Sequence, residues 1–262
     1  MSEPRRQSRS SARAGVSSVG AAKRGHARVG VVDVGSNSVR LVVYEALSRS
    51  PAYFFNEKVL CGLGADLGAT GRLSVAGKER ALKALTRFAA LARAMDIDVL
   101  DGVATAAVRE ASDGPEFVEE VERATGLRLR VATGEDEARL ASQGVLMGWP
   151  DADGLVADLG GASLELSRVG LGQVGRGVTL PLGPLRLLGL EGGAPAQDAL
   201  IDAAFASVRG ILGAPGGRIY LVGGSWRALA KLHMTRIGYP IQVLHEFELS
   251  SEEMLGLADE VA

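Results

Sequence analysis

Hydrophobic and polar positions change period several times along the chain, and each change predicts an element. Beginning near Arg28, VGVVDVGSNSVRLVVYEA holds two β-rich runs, 29–34 and 39–45, around the polar turn Gly35-Ser36-Asn37-Ser38. Strands joined by so short a polar segment read as a hairpin. A third strand is predicted over 53–59, before the glycine-rich loop CGLGADLGATGRL. Gly62, Gly64 and Gly68 lack the spacing of a dinucleotide-binding fingerprint, and no strand leads straight into a helix there. Ser74 can cap a helix over 75–95, whose Leu82, Leu85, Phe88, Leu91, Ala92 and Met95 fall on one face. Strand 99–104, a loop ending in Arg109 and a helix over 114–125 follow, with Gly126 suited to stop that helix. Strand 127–132 and helix 135–147 come next, ended by Gly148 and Pro150.

The pattern then repeats. GLVADLGGASLELSRV predicts strands 154–159 and 163–169 around Gly160-Gly161-Ala162. Strand 173–180, helices near 184–189 and 196–212, strand 218–222 and helices 225–235 and 251–261 complete the chain. VVDVGSNSVRLVV and VADLGGASLELSR share one layout: strand, Asp, apolar residue, Gly, small polar turn, strand. Two such units suggest a duplicated fold with its turns facing each other. The plainer reading is two ordinary hairpins, since Asp and Gly are favoured in turns generally.

Composition narrows the chemistry. The chain has 262 residues, 47% hydrophobic and 23% charged, which suits a soluble globular protein of one large or two smaller domains. A lone cysteine, Cys61, excludes a disulfide framework and a multi-cysteine zinc site. His26, His233 and His245 lie too far apart for a local histidine metal motif. No run of 18 apolar residues is present, which excludes a transmembrane helix. Charge is uneven: residues 1–28 hold seven basic residues and one acid, and the remaining 22 basic and 30 acidic residues leave the body at −8. Residues 1–27, rich in Ser, Arg, Ala and Gly without apolar period, are predicted to be a disordered basic tail. The acidic body argues against broad wrapping of nucleic acid.

Several residues could do chemistry. Asp33 and Asp158 each end an apolar strand just before a glycine, where a carboxylate can hold a divalent cation or orient water. The turn glycines with Ser36, Asn37, Ser38 and Ser163 offer N–H groups and hydroxyls to a phosphate. Arg109 suits bidentate phosphate binding, although a surface ion pair with Glu110 or Glu116 would also account for it. Glu135, Asp136 and Glu137 open one helix. The helix dipole accounts for two acids there, and a third adds repulsion that a chemical role could justify. In LVGGSWRALAKL a glycine turn near Ser225 could take an anion, while Trp226, Leu229 and Leu232 read as core.

Together these residues resemble a known family. VDVGSNSVRLVV (32–43), ATAAVREAS (104–112), TGEDEARLASQGV (133–145) and VADLGGASLEL (156–166) are similar, in order, to motifs of the exopolyphosphatase and guanosine pentaphosphate phosphohydrolase (Ppx/GppA) family. VGGSWRALAKL (222–232) and YPIQVLHEFEL (239–249) look like its later segments. That family belongs to the superfamily of actin, sugar kinases and heat-shock ATPases. The resemblance implies an α/β fold of two ribonuclease-H-like (actin-like ATPase) domains, 28–135 and 136–262, with an interdomain cleft. It also implies two phosphate loops, Gly35, Ser36, Asn37 and Ser38 in the first and Gly160, Gly161 and Ser163 in the second. By match to the motifs, Arg109 would bind the phosphate chain, Glu137 would be the general base, and Asp33 and Asp158 would hold Mg²⁺ or Mn²⁺.

The implied activity is release of terminal phosphate from inorganic polyphosphate or guanosine pentaphosphate. The expected ligands are polyphosphate or guanosine penta- and tetraphosphates, in a cytoplasmic protein with no membrane partner and no stable nucleic-acid complex; a homodimer stays open. A sugar or acetate kinase is the rival within the superfamily, and a polyphosphate- or nucleotide-binding regulator without turnover is the rival outside enzymes. There are two departures from the family pattern. Position 162 is Ala where a third glycine is usual, at a cost of about 1 kcal/mol if that site needs positive φ. Position 164 is Leu where Thr is usual. Family members also usually continue past the point where this sequence stops, so the second domain is expected to lack part of its edge.

Overall fold

A computed structural model describes residues 28–46, 52–212 and 217–261. The basic tail expected over 1–27 lies outside the described residues. The first sheet is built from β1 (Val29–Val34), β2 (Ser38–Tyr44), β3 (Tyr53–Leu60), β4 (Val99–Ala104) and β5 (Leu129–Val131), in the order β3-β2-β1-β4-β5. β1 runs antiparallel to β2 and parallel to β4. Helices α1 (Leu67–Thr70), α2 (Val75–Ala94), α3 (Ala106–Glu110) and α4 (Gly114–Thr125) are interleaved with these strands.

The inward residues Val32, Val34, Val39, Leu41 and Val43 meet Leu85 and Phe88 of α2 and Phe117 and Val121 of α4 in one apolar core. Alternation in β1 and β2 sends these side chains to a single face, as period 2 requires. Ser74 caps α2 as the sequence predicts, its hydroxyl accepting from the Gly77 amide at 3.4 Å. The buried stripe of α2 is broader than Leu82, Leu85, Phe88, Leu91, Ala92 and Met95. It centres on Ala81, Ala84, Leu85, Phe88, Ala89 and Ala92, with Leu82, Leu91 and Met95 on its border.

The second sheet contains β6 (Gly154–Leu159), β7 (Leu164–Gly170), β8 (Gln173–Leu180) and β9 (Ile219–Gly223), in the order β8-β7-β6-β9. β6 is antiparallel to β7 and parallel to β9, so the topology of the first four strands is reproduced. Helix α5 (Gly134–Gly148) follows the first sheet in sequence but packs on β7 and β8 of the second. The other elements are α6 (Pro184–Leu188), α7 (Gly193–Ser207), α8 (Arg209–Leu212), α9 (Gly224–Arg236) and α10 (Ser251–Val261).

Four expectations are corrected. The segment ending in Arg109 is helix α3, not a loop. Leu67–Thr70 forms a short helix inside the glycine-rich segment. The single helix expected over 196–212 is two, broken at Val208. Leu232, expected in the core, is 42% exposed, and Met234 takes the fully buried position on α9. No described helix is long and apolar enough to cross a membrane.

Candidate active site

The two hairpins end in matching turns. The Gly35 N–H donates to the Ser38 carbonyl at 3.0 Å, and the Gly160 N–H donates to the Ser163 carbonyl at 2.9 Å. Both glycine amides are therefore spent in closing their turns, contrary to the expectation that they face a ligand. The N–H groups of Ser36, Asn37, Gly161 and Ala162 donate to no backbone carbonyl among the described residues. These donors lack the backbone partner that an enclosed N–H ordinarily finds, and an anion could satisfy them. The carbonyls of the first turn are pinned from behind: Ser36 accepts from the Gly64 N–H at 2.8 Å, and Asn37 accepts from Cys61 and Gly62 at 2.9 Å. The turns also touch each other. A Cβ added at Gly161 would lie 3.0 Å from the Ser36 Cβ and 3.7 Å from the Asn37 nitrogen, so glycine is what permits this approach.

Asp33 and Asp158 occupy the same place on their strands, one residue before the last position of β1 and β6. Asp33 is open to solvent, although protein surrounds it on most sides, as at the floor of a cleft. That enclosure raises its pKa, against the opposing pull of Arg40 and Lys58. Burial and the neighbouring Asp33 charge push Asp158 up to about 6. The two carboxylates therefore feel one another across the gap between domains.

The acids that open α5 separate by role. Asp136 forms a capping box with Thr133, accepting from its N–H at 3.2 Å while the Thr133 hydroxyl accepts from the Asp136 N–H at 3.1 Å. Thr133 and Arg139 hold its carboxyl below the ordinary range. Glu135 points to solvent. Glu137 alone turns inward, where it pairs with Arg109 of α3. Burial raises the Glu137 pKa, Arg109 opposes the rise, and the Asp158 and Asp33 charges add to it. Arg109 is fixed further by donating to the Ala132 carbonyl at 2.8 Å, and its contact with Glu110 is looser, at 3.9 Å.

One acid was missed by sequence reasoning. Glu165 on β7 is 2% exposed and accepts from the Thr179 hydroxyl at 2.8 Å. Burial and the charges of Glu137 and Asp158 lift it to about 7, despite hydrogen bonds from Ser163 and Thr179. Its position directly across from Asp158 follows from the repeat, but its burial depends on α5 lying over this face of the sheet. Two surface cavities lie elsewhere, one between α2 and the α4–β5 turn and one between α5 and the β7–β8 turn, and neither gathers this set of groups.

Among the described residues no three His, Cys, Asp or Glu side chains form a metal cage of their own. Asp33 and Asp158 supply hard oxygen donors whose mutual repulsion a divalent cation would relieve. That suits Mg²⁺ or Mn²⁺, which commonly take one or two carboxylates and complete their shell with water and phosphate oxygens.

Two sheets of one strand order, joined in sequence and facing each other across paired turns, make this an actin-like ATPase fold with an interdomain cleft. Within that fold, the sequence profile of the Ppx/GppA phosphatase family matches residues 42–262, and the chain belongs to this family. The first turn and Asp33 precede the matched range. Exopolyphosphatase 1 of Mycobacterium tuberculosis is 33% identical over 163 residues, covering 61% of this chain and 47% of that protein. The chain thus spans about half the length of the curated relatives it matches. The Ppx/GppA family member of Aquifex aeolicus superimposes with a TM-score of 0.71 at 27% identity, covering 89% of this chain and 78% of that one. An exopolyphosphatase from Cytophaga hutchinsonii shares the fold, with a TM-score of 0.77 at 22% identity, covering 89% of this chain and 79% of that one.

Proposed function

We propose that the chain carries the catalytic site of a phosphoanhydride hydrolase that removes terminal phosphate from inorganic polyphosphate. The observation that carries this reading is the meeting of Glu137, Arg109, Asp33 and Asp158 beside two turns with free N–H groups. Family membership and the exopolyphosphatase relatives favour polyphosphate. Guanosine pentaphosphate offers the same terminal anhydride and is the second substrate to test.

In the proposed reaction, the free amides of Ser36, Asn37, Gly161 and Ala162 bind the terminal phosphate oxygens. Asp33 and Asp158 would hold Mg²⁺, which when bound supplies positive charge against the charge developing on those oxygens. Arg109 is drawn from Glu137 to the phosphate, because a phosphate carries more negative charge than one carboxylate. Glu137 is then free to accept a proton from water as the water oxygen bonds to phosphorus. The bridging P–O bond breaks, and the shortened chain leaves with the electron pair. The raised Glu137 pKa makes it a better proton acceptor than an ordinary carboxylate.

The test is phosphate release from polyphosphate and from guanosine pentaphosphate, each with Mg²⁺ and with excess chelator. Release from polyphosphate that chelator abolishes is the expected result. Release undiminished in chelator would overturn the metal assignment, and no release from either substrate would overturn the hydrolase.

A further inference from the structure

The cleft is bridged a second time, by a pair that the proposed reaction does not use. Glu110, next to Arg109 on α3, pairs with Arg186 on α6 of the other domain. The Arg186 Nε also donates to the Ala162 carbonyl at 3.3 Å, inside the second phosphate turn. α6 is itself fastened to that turn, since the Leu185 N–H donates to the Gly161 carbonyl at 2.9 Å. It also rests against α1 of the first domain. Two adjacent residues of one short helix therefore reach across the cleft with opposite charges, Arg109 to Glu137 and Glu110 to Arg186.

We propose that Glu110 and Arg186 are positioning residues, a latch that sets the spacing of the two phosphate turns. Substrate draws Arg109 away from Glu137, so the first bridge cannot hold the domains during turnover. The second bridge can, because neither of its members is needed by the phosphate. Both side chains are one-third exposed, at 33% each. A partly exposed pair adds little to global stability, but the same modest energy shifts an open–closed equilibrium about fivefold. The inference about turnover rests on the hydrolase reading; the inference about spacing does not.

The experiment uses the full chain with spin labels at cysteines replacing the exposed Glu120 on α4 and Asp198 on α7; the native Cys61 is 1% exposed and takes no label. Electron-resonance distances and steady-state rates are measured for wild type, Glu110→Gln, Arg186→Gln and the double variant. Each single variant should widen the interdomain distance distribution and raise KM for polyphosphate about fivefold, with the melting temperature unchanged within error. The double variant should be no worse than either single one, as coupled residues require. An unchanged distance distribution in Glu110→Gln overturns the latch. So does a KM effect confined to Arg186→Gln, which would make Arg186 a phosphate ligand instead. If wild type releases no phosphate from polyphosphate or from guanosine pentaphosphate, the hydrolase reading fails, and the distances still decide the latch.

Discussion

The same three-residue row crosses both sheets, yet the two rows carry different chemistry. In the first, Asp33 faces Arg40, and Arg40 faces Lys58. In the second, Asp158 faces Glu165, and Glu165 faces Thr179. On the other side each Asp is flanked by a valine, Val103 or Val222. The backbone frame is thus repeated closely, while the residues beside the Asp are not. In the first row enclosure raises the Asp33 pKa, Arg40 and Lys58 oppose that rise, and the Asp stays open to solvent. The second row stacks acid on acid beneath α5, and its carboxyls are pushed toward neutrality. The cause is a packing difference: α5 covers β7 and β8, whereas the matching face of β2 is half-exposed. The duplication thus divides by environment: a cation-flanked, solvent-open Asp in the first half and a covered pair of acids in the second.

The sharpest way to break this division is at Glu137. Glu137→Gln keeps the shape and removes the proton acceptor, so kcat for phosphate release should fall about 10²- to 10⁴-fold. Substrate Kd should hold or improve, because a negative charge near phosphate is gone. Glu135→Gln, on the exposed side of α5, should change the rate far less. Near-normal turnover in Glu137→Gln would move the base elsewhere, with Glu165 next in line.

A second test compares packing in the two halves. Phe88 is fully buried in the core of the first domain, and Phe88→Ala should cost about 3–5 kcal/mol in chemical denaturation. Leu232, on the outer layer of the second domain, is 42% exposed, and Leu232→Ala should stay within about 0.5 kcal/mol. Similar losses at the two sites would show that α9 packs more tightly than its exposure implies.

Glu165 sharpens the comparison through pH. Its carboxyl titrates near 4.5 when unfolded and at about 7 when folded. Between those values the folded protein keeps a proton that the unfolded chain has released, so this group's contribution is full below pH 4.5 and lost as pH rises through 7. Glu165→Gln keeps an acceptor for Thr179 and removes the buried charge. At pH 8 it should raise stability by on the order of 1–3 kcal/mol, and at pH 4 the gain should vanish. Urea titrations at both pH values measure this. A gain that is equal at the two pH values would mean that Glu165 is not a buried titrating acid.

How much of this was legible in the sequence depended on how local each signal was. The paired hairpins showed through because strand alternation, Asp and glycine repeat within a dozen residues. Helices α1 and α3 did not, since four or five residues are too few to show a helical period. Glu165 was missed because a charged residue in LELS reads as the solvent side of a strand. Only the packing of α5, fixed by long-range contact, makes that side interior. The three acids of α5 were indistinguishable by spacing. What separates them is Thr133 on one side and Arg109, 28 residues away, on the other.

The smallest effect is expected at Ala162, where the resemblance leads to an expected penalty for the missing glycine. A penalty for alanine would require positive φ. Among the described residues, Asp96, Leu171 and Glu246 are the non-glycine positions that have it, and Ala162 is not one of them. The crowding at this point is relieved from the other side: a Cβ on Gly183 would lie 2.2 Å from the Ala162 carbonyl carbon, so it is Gly183 that must stay small. The Ala162 methyl is itself buried, at 4% exposure. Ala162→Gly should therefore leave kcat within about twofold and, by adding backbone freedom, lower stability by about 0.5–1 kcal/mol. Initial rates and thermal melts on the two proteins check both halves. A tenfold gain in rate would mean that the methyl obstructs phosphate after all, and that the two turns differ in their access to substrate as well as in the residues beside them.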